Sequence, residues 1–353
     1  MLKRKWQRNI LDFYVYLKKR KKTGNKILIT TTDGIGDFII RLKLFNDIGL
    51  KFGFDNCYVL CDKKIESIVK KIGFSNIIIF TKKRRSKLFG KISLLSIIFK
   101  IPLKYIISLE FDQHDFDIQY FNYLESFAYK NKYHPEMDKY YSNLFLTKGT
   151  SVEEFTLNYY NSFFKKNLNI SEIIPDLKFF YSDTIIKKYK TSNLSIGIGA
   201  GSRKKMISPN LFAKIINIFW KTKKFDNIFF LGNGKRDEDY WKNLKRELNL
   251  ENINSIYLIG KLDLNESIST ILNSDAYLGF DSGLFHIAAS LGIKTFGLFS
   301  SADTVPYSHK DYKNVITFWG NIENSHILNS YYGNPELNSI SLNEIEAILK
   351  KSL

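Results

Sequence analysis

Cysteine is nearly absent from this chain. Cys57 and Cys61 are the only two in 353 residues. That is too few for a disulfide framework, and no metal-ligand set accompanies them. Both sit in an apolar, strand-like run and read as packing residues suited to a reducing cytoplasm. Long uncharged stretches are missing too: none reaches the ~18 residues that a membrane-spanning helix needs. The basic N-terminus holds an apolar run, but Asp12 and the cations Lys18, Lys19 and Arg20 interrupt it, so no secretory signal is read there. No helix-turn-helix, zinc-finger or aromatic RNA-binding pattern is present, which argues against nucleic acid as a partner. What the chain does have is apolar bulk. Its 44% hydrophobic residues can build sizeable cores in two domains.

Acids are outnumbered, with 35 Asp and Glu against 53 Lys and Arg for a net charge of +18. The excess is segregated. Residues 1–26 hold ten cations and one acid, a net of +9, and residues 81–104 hold eight cations and no acid, a net of +8. Both segments interleave cations with large apolar groups. The first has Trp6, Ile10, Leu11, Phe13 and Tyr14; the second has Leu88, Phe89, Leu94, Leu95, Ile97, Ile98 and Phe99. Basic, apolar-faced helices of this kind suit an anionic membrane surface. A solvated basic face on an ordinary helix has the same composition.

The order of apolar runs describes two α/β halves. In the first, KILITTT (26–32) is a strand, followed by DGIGD and a helix from Phe38 to about Asp47. CYVLC (57–61), NIIIF (76–80) and YIISL (105–109) are further strands, and IESIVKKIG (65–73) is a helix ended by its glycine. The stretch 120–146 is rich in Tyr, Phe and Asn and shows no clear period, whereas 155–167 is helical in pattern. The second half restarts with LSIGIGA (194–200), then a helix from Pro209 to Trp220, a strand at 227–234, a helix at 236–248 and a strand at 255–261. A helix at 265–273, the 277–300 unit, a strand at 315–319 and an amphipathic helix at 343–351 complete it. Alternation of this kind predicts parallel sheets covered on both faces. The expected division is a basic N-terminal segment (1–25), an N-terminal domain (26–175), a linker (176–190), a C-terminal domain (191–340) and a C-terminal helix (341–353).

Polar groups gather where strands hand over to helices. YLGFDSGLFHIAASLGIKTFGLFS (277–300) places Asp281, Ser282 and Gly283 at such a junction, with His286 one helical turn on. Open α/β sheets bind ligands outside the carboxyl ends of their strands, and a helix start there suits a phosphate. A capped core helix with a buried histidine is the alternative. In AGSRKKM (200–206) a small-residue turn meets three cations, as in a phosphate cradle or a solvated loop. TTTDGIGD (30–37) permits close approach at Gly34 and Gly36 and sets Asp37 at a helix start, where an N-cap role is the simple reading. A dinucleotide fingerprint would need a third glycine, but Ile39 stands there. Asp33, Glu110, Asp112, His114 and Asp115 follow strand ends of the first half, the rim where an acceptor would bind.

Four stretches in this order resemble bacterial glycosyltransferase family 9, the ADP-heptose:lipopolysaccharide heptosyltransferases. They are the strand–DGIGD–helix, GAGSRKKMISPNLFAKI, LGNGKRDE, and IGKLDLNESISTILNSDAYLGFDSGLFHIAASLGIKTFGLFSSAD. The resemblance implies a GT-B fold, two Rossmann-like domains facing across a cleft, with acceptor on the first and nucleotide sugar on the second. It implies inverting transfer without a metal or other cofactor, the nucleotide sugar being a substrate. Asp37 matches the family's general base and Lys205 its donor-phosphate lysine. Asp281, Gly283 and His286 match its strand-end and helix residues, with Ser282 between them. Asp237 or Glu238, after the Gly232 turn, matches the acid that meets the nucleotide ribose. Ser202 and Arg203 join the donor side; Gly36, Asp33, Glu110, Asp112 and His114 join the acceptor side. Two stretches depart from the pattern: Ile207 and Ser208 replace a Trp-Pro pair, and 300–306 lacks a Gly-Pro. The resemblance implies a lipid-linked glycan acceptor and a cytoplasmic enzyme at the inner face of the bacterial inner membrane, where residues 1–26 and 81–104 would meet anionic lipid. A non-catalytic glycan- or nucleotide-binding protein of the same fold is the alternative.

Overall fold

A computed structural model describes residues 10–11, 13–14, 24–81, 88–110, 123–130, 135–145, 151–184, 191–223, 225–248, 254–299, 311–320 and 337–353. Asp112, His114, Asp115, Lys82–Arg85, the 300–306 loop, most of the basic N-terminus and part of the expected linker lie outside these residues.

The chain divides into two units. The first comprises residues 1–34 and 41–173, the second 35–40 and 174–353. Ile35–Ile40 thus groups with the second unit although both its chain neighbours belong to the first.

The first unit carries a six-stranded parallel sheet in the order β3-β2-β1-β4-β5-β6. Its strands are β1 (Lys26–Thr31), β2 (Cys57–Cys61), β3 (Asn76–Ile79), β4 (Leu103–Ser108), β5 (Glu125–Tyr129) and β6 (Asn143–Phe145). Both cysteines are free and fully buried in β2, and burial pushes each thiol up to about 12, so they pack as small apolar groups. The helix expected from Phe38 to Asp47 is two: α1 (Ile35–Ile40) and α2 (Leu42–Phe52), broken at Arg41. Asp37 is the third residue of α1 and not its cap. Gly53 after α2 and Gly73 after α3 (Glu66–Ile72) take positive φ, 82° and 121°, where a side chain would be strained.

The aromatic stretch that showed no period supplies β5 and the edge strand β6. Their rings pack on α5 (Val152–Phe164): Phe127 lies 5.1 Å from Phe163 and Phe145 4.6 Å from Tyr159, centroid to centroid. Helix α5 starts before the expected 155 because Ser151 and Glu154 form a reciprocal capping box, and the short α6 (Ile170–Ile173) follows it. The opposite edge of the core is covered by α4 (Leu88–Ile98), which buries Leu94, Leu95 and Ile98. This helix carries a single cation, Lys91. The expectation of a basic face along it is therefore corrected: the positive charge of 81–104 lies mainly in the flanks.

The second unit repeats the topology as β12-β11-β10-β7-β8-β9. Its strands are β7 (Asn193–Gly197), β8 (Asn227–Leu231), β9 (Asn254–Tyr257), β10 (Ala276–Phe280), β11 (Lys294–Phe299) and β12 (Val315–Trp319). Central β7 and β10 are buried at every residue, as expected of strands covered on both faces. Around them run α7 (Pro209–Thr222), α8 (Lys235–Glu247), α9 (Leu264–Leu272), α10 (Gly283–Ser290) and α11 (Leu342–Ser352). The C-terminal helix α11 is part of this core, with Ile345 and Leu349 fully buried. In both sheets the strand order reverses beside the first strand, between β1 and β4 and between β7 and β10. These are the switch points where open α/β sheets bind ligands.

Candidate active site

At the switch point of the second unit, three groups meet. Lys205, in the short turn Arg203–Lys205 after β7, places Nζ 2.5 Å from Oδ2 of Asp281 at the end of β10. Oδ1 of the same carboxylate lies 3.4 Å from Nε2 of His286, one turn into α10. His286 is 3% exposed and Lys205 28%, so the lysine is the member that faces outward. Burial pushes the Asp281 carboxyl up, but His286 and Lys205 outweigh it and hold it at about 2. Asp281 is therefore ionised at any working pH and fixes both partners.

Ser282 occupies the cap position of α10, yet its side chain makes no capping hydrogen bond. Its Oγ is buried, next to Tyr277. The first N–H groups of a helix have no intrahelical acceptor. Ser282 does not cap them at the start of α10, a position suited to an anion beside the outward ammonium of Lys205.

Helix α1 packs on this helix through two glycines. A Cβ on Gly36 would stand 2.4 Å from Cδ2 of His286, and one on Gly283 would stand 2.9 Å from Cβ of Ile35. Neither fits. The physical requirement at both positions is close helix packing, which brings the Asp37 helix against the His286 ring. In α1 the residues Gly36, Phe38, Ile39 and Ile40 are buried and Asp37 is half-buried.

The turn after β8 separates the two acids that the sequence left as alternatives. Asp237 is 5% exposed; its Oδ2 accepts the Asn233 N–H at 2.8 Å and fills the space over Gly199 and Gly232, where added Cβ atoms would stand 2.1 and 3.0 Å away. Burial raises its carboxyl, with the Asn233 N–H and Arg236 opposing. It is committed to the turn. Glu238 is half-buried and so the more accessible of the two acids.

Arg236 carries no signal that singled it out in the sequence. Its guanidinium reaches across to the Lys205 loop, donating to the Gly201 carbonyl at 2.9 Å and to the Ala200 carbonyl. Ser202 begins the Arg203–Lys205 turn without a side-chain cap, and Arg203 is exposed. Ile207, in place of the family's tryptophan, is fully buried, and the Ser208 N–H donates to Asn338 Oδ1 at 2.8 Å.

The first unit's switch point holds a second charged cluster. Asp33, after β1, pairs with Arg41 at 2.9 Å; their side chains are 16% and 1% exposed. Arg41 Cζ lies 5.7 Å from the Tyr129 ring centroid. Glu110, after β4 and 2% exposed, accepts the Thr32 N–H at 3.2 Å. Burial and Asp33 push its carboxyl up to about 7, against Thr32 and Arg41. Asp33 and Glu110 are thus engaged inside this unit, joined by Arg41 and Tyr129, which the sequence did not single out. Among the described residues no group of three or more His, Cys, Asp or Glu side chains is arranged to hold a metal ion.

Two parallel six-stranded sheets of this order, each with polar groups at its switch point, have the architecture of the GT-B fold. Comparison with solved structures agrees. The fold matches E. coli heptosyltransferase WaaC with ADP-2-deoxy-2-fluoro heptose (TM-score 0.68, 12% identity, 93% of this chain and 100% of that one). It also matches E. coli ADP-heptose lps heptosyltransferase II (0.63, 14%, 92% and 99%) and a family 9 glycosyl transferase from Veillonella parvula (0.64, 15%, 94% and 99%). No curated protein matches in sequence. Residues 116–331 match glycosyltransferase family 9 (heptosyltransferase). The chain belongs to this family and is a glycosyltransferase.

Proposed function

We propose that this enzyme moves a heptose from ADP-heptose to a hydroxyl of a lipid-linked lipopolysaccharide or lipooligosaccharide core, with inversion and without a metal. The observation that carries the reading is the Lys205–Asp281–His286 cluster beside the uncapped start of α10, with the Asp37 helix packed on it. Support for the donor comes from the family and from the related fold solved with an ADP-heptose analogue.

The chemistry follows from these groups. Asp37 takes the proton from the acceptor hydroxyl as its oxygen bonds to the anomeric carbon. The bond from that carbon to the diphosphate oxygen breaks on the opposite face, which inverts the centre. The departing diphosphate gains charge, and Lys205 and the N–H groups of α10 stabilise it. Asp281 keeps the Lys205 ammonium in place, and Arg203 adds a second cation. Ser202 and Gly232 line the donor side, and Glu238 takes the ribose hydroxyls in preference to Asp237. Gly36, Asp33 and Glu110 support the acceptor side from within the fold. The enzyme works in the cytoplasm, at the inner face of the bacterial inner membrane.

A thermal-shift panel of ADP-, UDP-, GDP- and CMP-linked sugars, followed by transfer assays on truncated core acceptors, tests the reading. Stabilisation by the ADP compounds with transfer of heptose is expected. Stabilisation by another nucleotide alone replaces the donor, and binding without turnover on any acceptor removes the proposed reaction.

A further inference from the structure

Tyr277 is fully buried in β10, and its ring lies where two glycines leave room for it. Gly197, the last residue of β7, and Gly279 of β10 stand opposite each other in register. A Cβ on Gly197 or on Gly279 would stand 1.9 or 2.5 Å from the Tyr277 hydroxyl oxygen, so neither position admits a larger residue beside this phenol. The two glycines seat the ring and carry its hydroxyl toward the end of β10, where α10 begins.

The hydroxyl's polar neighbour there is Ser282. Serine is among the best N-caps, and the Ser282 backbone is extended, as a cap requires. At the same position of α5, α9 and α11, the side chains of Ser151, Asp263 and Ser341 each accept the backbone N–H three residues on. Ser282 makes no such bond. The residue as a whole is half-buried, yet its Oγ is buried, so the side chain is turned inward. Neither its hydroxyl nor that of Tyr277 has a well-aligned hydrogen-bond partner among the described residues.

We propose that Tyr277 is a positioning residue for the donor diphosphate: its hydroxyl draws Ser282 Oγ inward, keeps the serine from capping α10, and so leaves the first-turn N–H groups of that helix to the anion. A capping side chain and a diphosphate compete for the same donors. The capped start is the more stable one in the free enzyme, and the uncapped start is the one that binds. Tyr277 thus lowers stability slightly and raises affinity. The inference rests on the proposed function for the identity of the anion and deepens it by naming the residue that keeps its site open. The hold of Tyr277 on Ser282 is measured without any ligand.

The test is a double-mutant cycle of Tyr277→Phe and Ser282→Ala in the full chain. It is read by thermal unfolding without ligand and by calorimetric titration with ADP and with adenosine. Phenylalanine keeps the ring in its seat over Gly197 and Gly279 and removes only the hydroxyl. Tyr277→Phe should weaken ADP binding about fivefold, the scale of one N-cap hydrogen bond, and leave adenosine binding unaltered. It should also raise the melting temperature by about 2–4 °C, because Ser282 is released to cap α10. In a Ser282→Ala background the same substitution should leave ADP affinity unaltered and raise the melting temperature less, since no serine remains to cap. A Tyr277→Phe variant that binds ADP like wild type, or that melts at or below the wild-type temperature, would overturn the proposal. So would a loss of affinity that persists in the Ser282→Ala background or that extends equally to adenosine, which would mark a role in the fold alone. If the wild type does not bind ADP, the proposed donor falls, and the difference in melting temperature between the two backgrounds decides the role of Tyr277 by itself.

Discussion

Arg236 reaches back from the first turn of α8 and donates a hydrogen bond to the Gly201 carbonyl at 2.9 Å. One guanidinium thereby ties the turn that carries Glu238 to the loop that carries Lys205. Its Nε also lies 3.7 Å from the buried Asp237 carboxylate. Arg236 acts as a positioning residue for both loops. Arg236→Met should raise the donor KM about tenfold with a smaller change in kcat, in line with hydrogen bonds from a charged group. Lysine lacks the planar fork, so Arg236→Lys should not restore it. Equal losses in kcat and KM for acceptor as well as donor would mark a general folding defect instead.

In the proposed reaction the Lys205 charge faces the donor phosphate. Lys205→Ala should weaken ADP binding about 10- to 100-fold, the range of a charge-assisted hydrogen bond, and leave adenosine binding nearly unchanged. Calorimetric titration of both ligands checks this. Similar weakening of the two would mean that Lys205 acts through Asp281 and the fold.

Gly36→Ala forces a methyl group to within 2.4 Å of His286 Cδ2. The expected loss is about 1–3 kcal/mol of stability, the usual cost of overpacking, read by denaturant unfolding, with a fall in transfer because the Asp37 helix must shift. An unchanged midpoint would contradict the packing of α1 on α10.

Glu110 predicts a pH dependence of the opposite sign to the usual carboxylate. Its folded value, about 7, lies above the ordinary carboxylate range, so between the two the native state binds more protons than the unfolded chain. Stability should therefore fall as pH rises from about 4.5 to about 7 and level off above. Glu110→Gln, which mimics the protonated form, should flatten that slope. Asp281 works the other way: its contribution is present above about 4 and lost as pH falls toward about 2. Melting curves across pH 4.5–8 separate the two, because Asp281 stays ionised there, and the difference between wild type and Glu110→Gln isolates the Glu110 part from the five histidines.

Much of this was legible in the residues. Alternating apolar runs predicted both parallel sheets, and Asp281, Ser282 and His286 stood out at a strand–helix junction because that is where such sheets bind ligands. The four motif stretches carried the family. What the sequence hid depends on distance in space. Arg41 and Arg236 are ordinary cations until their partners, Asp33 and Gly201, are known. Gly36 and Gly283 look like ligand-approach glycines, but each is opposite a side chain of the other helix. Asp237 and Glu238 are adjacent in sequence, and only the helix register after Gly234 turns one inward to Asn233 and leaves the other half-buried. Strands β5 and β6 at one end of the first sheet hid because their aromatic residues pack on α5 instead of alternating strictly.

The central claim is that Asp37 is the base in sugar transfer, held on a helix packed against the donor-side His286. The most direct measurement is the transfer rate of Asp37→Asn beside its affinity for ADP. The account predicts a rate lowered by about 10²-fold or more, the scale of general-base catalysis, with ADP affinity close to wild type. Near-wild-type turnover in that variant would contradict it.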